Sequence, residues 1–247
     1  MKPLPFIVTL LGALAIFPPI AFGQTVTCNA TTVPSQPRAE GLTELTGDIL
    51  LTCTGGRTTT AGMDIPQTSI IVYLNTQVTN RQFGTWSDAY LLVNEPGSGQ
   101  ANAVATQTMC ANSNGICPIA ATGLGGGMSG GDYSGTSDRP NMFMGYSSGN
   151  SVTFPSVPID APGSGQNLYL RITGIRVNVS AISGGQSGNL ISDVAISGSV
   201  AIQVNNSALT TGDIASGNAA ETLLRSIVFP GQLGRTAGRG EMTPTCG

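Results

Sequence analysis

The chain has 247 residues, of which 9% are charged and 34 are glycine, with a formal net charge of -3. Soluble domains average about 25% charged residues and about 7% glycine, so this chain is poor in charge and rich in glycine. It has no histidine, and its single lysine is Lys2. Histidine-based triads, imidazole metal sites and lysine Schiff-base catalysis are therefore excluded. Nucleic acid is not an expected partner, because no basic stripe is present to neutralise phosphates.

The N-terminal segment predicts an export signal. Lys2 is followed by an apolar run over residues 6–16, and Ala21 and Gly23 provide the small side chains that precede a cleavage site. A membrane helix is the alternative, but Pro18 and Pro19 interrupt the apolar stretch and no basic cluster follows it. We expect a signal peptide over 1–23, a single secreted β-domain over 24–235 and a tail over 236–247, with no membrane span after cleavage.

Five cysteines are present, and an oxidising compartment makes disulfide bridges their expected state. Proximity in sequence favours a Cys28–Cys53 bridge and a Cys110–Cys117 bridge, which leaves Cys246 unpaired or bonded to another chain. Other pairings remain open. A zinc site is the competing interpretation, but the spacing between Cys110 and Cys117 matches no zinc motif and histidine is absent.

Short apolar runs rich in Val, Ile, Leu and Thr alternate with Gly, Asn, Ser and Pro, as is typical of strands and turns. One helix is predicted over 219–227, where apolar residues recur with helical spacing after Asn218. The pattern indicates an all-β fold, an antiparallel β-sandwich, with a β-barrel or jelly-roll-like fold as the alternative. The predicted strands lie near 25–33, 42–53, 68–76, 89–95, 102–109, 151–154, 167–180, 193–205 and 227–229.

Two features interrupt this pattern. Along 168–179 the apolar residues change face near Gly174, which predicts a bulge there. Residues 121–150 are rich in glycine and serine, a composition with a high ordering entropy and little apolar surface to bury. We expect a long surface excursion at about 111–150 between two halves of the domain.

Three stretches of the chain carry a recognisable pattern. They are Cys28-x5-Pro34-x3-Arg38-Ala39-Glu40-Gly41-Leu42-Thr43-Glu44-Leu45-x-Gly47-Asp48-x4-Cys53-Thr54-Gly55-Gly56, then Leu74-Asn75-x2-Val78-Thr79, and Leu170-Arg171-Ile172-Thr173-Gly174-Ile175-Arg176-Val177-Asn178. Together they resemble a domain of predicted acidobacterial secreted or surface proteins, which in larger relatives precedes other extracellular β modules. That family has no assigned activity, so the resemblance implies export and an extracellular role and supplies no catalytic residues.

Carboxylates are the remaining candidates for acid-base chemistry. Glu40, Glu44 and Asp48 lie close together in sequence, near Arg38. A glycosidase needs two carboxyls about 5 to 9 Å apart, whereas Glu44 and Asp48 would be about 13 Å apart on one strand. We expect these acids to face water or to pair with Arg38.

Asp132 and Asp138 could supply oxygen ligands for Ca2+ within a glycine-rich loop, although their spacing matches no calcium-binding motif. A solvated loop is the simpler expectation. No other cofactor is predicted.

Trp86 is the only tryptophan, and Tyr90 follows it closely. A sugar-binding module stacks such rings on the ligand, with polar groups beside them, and Tyr133 and Tyr146 could extend the platform. The alternative is that Trp86 is a half-buried core residue.

These observations favour a non-enzymatic structural or adhesive surface protein. Its partners would be further copies of itself or other surface proteins, joined through exposed strand edges. The second hypothesis is a carbohydrate-binding module that uses Trp86 and Tyr90 to bind glycans. A carboxylate-based hydrolase is the third.

Overall fold

The computed structural model describes residues 25–95, 106–110, 123–125, 131–184 and 186–216. The elements over these residues are β1 (Val26–Thr32), β2 (Glu44–Leu45), β3 (Ile49–Gly55), β4 (Gln67–Leu74), β5 (Gln82–Phe83), β6 (Trp86–Ser87), β7 (Tyr90–Val93), β8 (Met142–Met144), β9 (Tyr146–Ser148), β10 (Ser151–Pro158), β11 (Gly163–Thr173), β12 (Arg176–Val177), α1 (Ser180–Ser183), β13 (Gly188–Gly198), β14 (Ile202–Asn205) and β15 (Ala208–Ile214).

Two large sheets form the domain. The six-stranded sheet has the order β14-β1-β3-β11-β7-β8, and the five-stranded sheet has the order β15-β13-β4-β10-β9. β14 pairs in parallel with β1, while the other strand pairs in these two sheets are antiparallel. Neither sheet closes into a barrel over the described residues, so the prediction of an all-β antiparallel sandwich is confirmed.

The core lies between the two sheets and follows from the alternation of side chains along each strand. In β4, Ile70, Val72 and Leu74 are buried, whereas Tyr73 faces outward. The strands of the six-stranded sheet likewise point every second side chain into the core. Its fully buried members include Ile49, Leu51, Leu91, Leu168, Leu170 and Ile172.

Two predicted long strands are each divided in two. The predicted strand over 42–53 breaks between β2 and β3 at Gly47, whose N–H donates to the Thr211 carbonyl at 2.6 Å. A Cβ on Gly47 would lie 2.3 Å from the Val33 carbonyl oxygen. The strand therefore breaks here because other parts of the chain pack closely against Gly47. The predicted strand over 167–180 ends at Thr173, because Gly174 adopts a φ of +78°. The chain then forms β12, which pairs with β2 in a separate sheet.

The predicted surface excursion is wrong for residues 131–150. Tyr133 and Phe143 are each 2% exposed, and Asp132 and Asn141 are fully buried. This segment contributes an edge strand to each sheet: β8 to the six-stranded sheet and β9 to the five-stranded sheet. The chain crosses between the two sheets at Gly145, where a Cβ would lie 2.6 Å from Val152. Glycine is thus needed at this crossing for close packing.

Several predicted segments lie outside the described residues: the signal peptide over 1–23, most of the strand over 102–109, the helix over 219–227, the strand over 227–229 and the tail over 236–247. The single helix within the described part is α1, which the sequence did not predict. In the part of the chain that the structure describes, no helix has the length and hydrophobicity needed to cross a membrane.

Candidate functional site

Backbone or side-chain contacts cover three of the four edges of the two large sheets. Residues 35–39 run along β15, where Ser35 donates to Thr211 at 3.1 Å and accepts from Asp213 at 2.9 Å. Residues 108–110 run along β8, where the Cys110 N–H donates to the Met142 carbonyl at 2.8 Å. The β5–β6 hairpin lies against β9, and Gln82 hydrogen-bonds Ser147 there.

The fourth edge is β14. Within the described ranges, residues 202–205 pair with β1 alone and have no other backbone hydrogen bond. The strand contains no charged residue and no proline. Natural sheet edges are commonly protected by shortness, charges, prolines, bulges or covering segments. β14 is short, with four residues, but among the described residues it has no charge, no proline and no backbone partner on its outer side. It is therefore the edge with the fewest protections against the addition of another strand.

The outer face of the five-stranded sheet carries exposed aromatic rings. Tyr73 of β4 is 45% exposed and Tyr146 of β9 is 41% exposed. Their direct cross-strand neighbours are Ser151 and Thr153 of β10, respectively, which places both rings on the same face. We call this surface the tyrosine face; its residues are Ile71, Tyr73, Tyr146, Ser148, Ser151, Thr153 and Asp193.

Trp86 and Tyr90, the two predicted stacking residues, belong to different sheets. Trp86 is half-buried in the β5–β6 hairpin opposite Phe83, over which the Arg81 guanidinium lies at 5.0 Å from the ring centroid. Tyr90 is half-buried on β7 in the six-stranded sheet, opposite Thr173. The two residues thus lie on different sheets, and their role as a stacking pair stays a prediction.

The positions of Tyr133 and Tyr73 also differ from what the sequence predicted. Tyr133 is buried and donates to the Pro158 carbonyl at 2.9 Å, and burial raises the pKa of its hydroxyl. It cannot stack on a ligand. Tyr73 was not singled out from the sequence. It alternates with the buried residues of β4, and this alternation is the signal that could have placed it on the outer face.

The predicted acidic cluster separates into two ion-pair systems. Glu44 accepts from Arg38 at 2.9 Å, as the sequence suggested. Asp48 instead pairs with Arg171 of β11 at 2.6 Å, and Arg171 also binds Glu95. The hydrogen bond that Arg171 donates to Glu95 raises the pKa of Arg171 above its usual value, against the smaller opposing effect of burial.

Arg171 and its two acidic partners line a groove of about 500 Å³ on the six-stranded sheet, together with Leu50 and Val33. Thr173 also donates to Asp48 at 2.7 Å. Glu44 and Asp48 are thus held by different arginines, whereas Asp48 and Glu95 share Arg171. Exposed ion pairs of this kind contribute little stability, about 0 to 1 kcal/mol.

Asp132 and Asp138, the predicted Ca2+ ligands, occupy different environments. Asp138 is exposed, and a hydrogen bond from Thr136 lowers its pKa. Asp132 is fully buried and forms an ion pair with Arg139 at 3.1 Å. The expectation of a solvated loop is therefore wrong for Asp132, because an arginine compensates its charge inside the protein. Over the described ranges, no three residues of the types His, Cys, Asp and Glu come together as a metal site.

Asp132 has a neighbouring carboxyl that the sequence did not suggest. This is Asp160, which is also fully buried. Thr59 donates its N–H to Asp160 Oδ1 at 2.6 Å, and Leu124 donates to Asp132 Oδ1 at 2.9 Å. Among the described residues, the Oδ2 atom of each aspartate is buried without a hydrogen-bond donor. Burial, followed by the effect of the neighbouring Asp132 carboxyl, raises the pKa of Asp160 to about 6. We call these two buried carboxyls the aspartate pair.

The cysteines are oxidised where the structure describes them. Cys28 and Cys53 form a disulfide between directly opposed positions of β1 and β3, as predicted. Cys110 is also disulfide-bonded. Cys117, its predicted partner, and Cys246 lie outside the described residues.

A scan of the chain against protein-family models gives no match, and a search of curated proteins finds no relative. The resemblance to acidobacterial secreted proteins accordingly stays a prediction. Over the described residues, the structure shows an all-β sandwich with a buried disulfide, one sheet edge without a further backbone partner and an aromatic outer face.

Proposed function

We propose that the chain is an exported, non-enzymatic structural or adhesive protein that assembles by adding strands at β14. The observation that carries the proposal is the contrast between the four sheet edges. Three are covered, while β14 is uncharged, free of proline and paired on one side only within the described residues. An open edge of this kind binds another strand through main-chain hydrogen bonds.

Charge and cysteine chemistry support the same proposal. A formal net charge of -3 over 247 residues gives little electrostatic repulsion between copies. The Cys28–Cys53 disulfide and the oxidised Cys110 are typical of proteins that fold in an oxidising compartment. Together with the export signal predicted over 1–23, they support secretion to the cell surface or beyond. Cys246 is the cysteine that we expect to link neighbouring copies.

Lysine substitutions on β14 test the assembly. We expect the double variant Gln203→Lys and Asn205→Lys to raise the concentration at which assembly begins by about tenfold, because charges on an edge strand oppose strand addition. Light scattering of the mature chain over a concentration series measures this threshold. Circular dichroism checks that both proteins remain folded.

The matched control is Ala195→Lys with Ser197→Lys. These residues are exposed and spaced alike on β13, which is an interior strand of the five-stranded sheet. The control adds the same charge away from an edge and should assemble like the unmodified chain. A chain that scatters as a monomer at every concentration contradicts the proposal, as does equal inhibition by the two double variants.

A further inference from the structure

We infer that the tyrosine face is a binding surface for a neutral polysaccharide, a function separate from assembly at β14. Aromatic rings are concentrated on this side of the sandwich. Of the large apolar side chains that are exposed in the described residues, the aromatic ones are Tyr73, Phe83 and Tyr146. Two of these belong to the tyrosine face, and Phe83 lies in the hairpin that borders β9.

The spacing of the two tyrosines sets the size of the ligand. Tyr146 lies on β9 and Tyr73 on β4, with β10 between them and one outward position of offset. Ordinary sheet spacings then place their Cα atoms about 12 Å apart. Both rings emerge from regular strands, so their positions are fixed before a ligand arrives. A ligand that touches both must be an extended molecule that spans this distance.

The groups around the tyrosines fit a polyhydroxylated ligand. Ser148, Ser151 and Thr153 supply hydroxyls that can both donate and accept hydrogen bonds. Aromatic rings provide the flat apolar surface on which the C–H faces of a sugar can pack, and the tyrosine hydroxyls add polar contacts at the rim.

The charges on the tyrosine face indicate which class of ligand it can bind. Asp193 is the only charged member of the tyrosine face, and the cation in the bordering hairpin, Arg81, lies over the Phe83 ring, so the face itself supplies no cation with which to hold an acidic polymer. Single-stranded nucleic acid also stacks on aromatic rings but requires a positively charged groove. Proline-rich peptides bind in aromatic-lined grooves, whereas this surface is the open face of a sheet. A neutral glycan is the class that remains.

Retention on insoluble cellulose and chitin tests the inference. We use the chain carrying Gln203→Lys and Asn205→Lys, so that sedimentation reports polysaccharide binding and not self-assembly. Adding Tyr73→Ala and Tyr146→Ala should weaken retention by at least about tenfold. The matched control is Tyr90→Ala on the six-stranded sheet, which should retain binding in full.

Thermal unfolding verifies that the tyrosine variants remain folded, as expected for exposed side chains. The inference is overturned if neither polysaccharide retains the chain, if Tyr90→Ala reduces retention as much as the two tyrosine substitutions do, or if only a polyproline peptide binds. None of these outcomes bears on assembly at β14, which light scattering tests separately.

Discussion

The free energy of unfolding is expected to fall by about 3 kcal/mol as the pH rises from below 4 to above 6, through the aspartate pair alone. The pKa of Asp160 is raised from 3.8 to about 6 in the folded protein. A raised pKa means that folding favours the protonated form. Its stabilising contribution is therefore complete below the unfolded pKa and is lost as the pH rises through the folded one.

The surroundings of the pair explain the raised pKa of Asp160. Arg139 compensates one buried negative charge by pairing with Asp132, and Tyr133 stays neutral throughout this range because burial raises its pKa. A charged Asp160 is therefore a second buried negative charge with no ion-pair partner among the described residues, which is costly.

Urea unfolding at a series of pH values measures this effect, with Asp160→Asn as the test variant. The asparagine has the same shape, can still accept from Thr59 and does not titrate. We expect the stability of Asp160→Asn to vary with pH by about 3 kcal/mol less than that of the unmodified chain. Asp138→Asn, at an exposed position in the same segment, serves as the control. Parallel pH profiles for the unmodified chain and Asp160→Asn would show that folding does not raise the pKa of Asp160.

Replacing both Cys28 and Cys53 by alanine should lower the free energy of unfolding by about 3 kcal/mol or more. The bridge closes a loop with a sequence separation of 25, and a loop of this length restricts the unfolded chain by about 3 kcal/mol. Both cysteines are also buried between the sheets, at 0% and 1% exposure. Removing their sulfur atoms therefore adds a packing loss.

The two single variants provide the control for this experiment. Each breaks the same bond, so Cys28→Ala, Cys53→Ala and the double variant should lose similar amounts of stability and not additive ones. Urea denaturation under non-reducing conditions gives the three values. Strictly additive losses, or a double variant as stable as the unmodified chain, would show that the bridge does not hold β1 and β3 together.

Much of the fold could be predicted from local alternation. The runs that become β1, β3 and β4 each place apolar side chains at every second position, which is sufficient to predict half-buried strands. The Cys28–Cys53 pairing followed from proximity in sequence. The change of face near Gly174 was also visible, although its result is a strand end and not a bulge.

The rest depends on contacts between distant parts of the chain. β8 and β9 have three residues each and lie in a glycine-rich segment, so neither has enough length for a recognisable period. Asp132 looked solvated because its neighbour Asp160 comes from another segment, and nothing in the local sequence marked Arg139 as its buried ion-pair partner. Asp160 itself lies in the apolar run Pro158-Ile159-Asp160-Ala161-Pro162, and a single acid in such a run is the signal that could have indicated burial.

The proposed sites could be predicted only in part. Exposed strand edges were expected, but which strand is open depends on the strand order of the sheets, which alternation does not determine. Tyr146 was among the candidate stacking residues, whereas Tyr73 joins it only through the pairing of β9, β10 and β4. Addition of strands at β14 would extend the six-stranded sheet and leave the tyrosine face of each copy open. Assembly would then present many weak glycan sites together, which increases avidity.

Hydrogen–deuterium exchange of the mature chain, measured below and above the concentration at which it assembles, tests the central proposal most directly. If strands add at β14, the backbone amides of residues 202–205 gain protection on assembly, while those of the covered edge β15 keep the protection they already have. Unchanged exchange at 202–205 in the assembled protein, with new protection along β8, β9 or β15, would contradict the account.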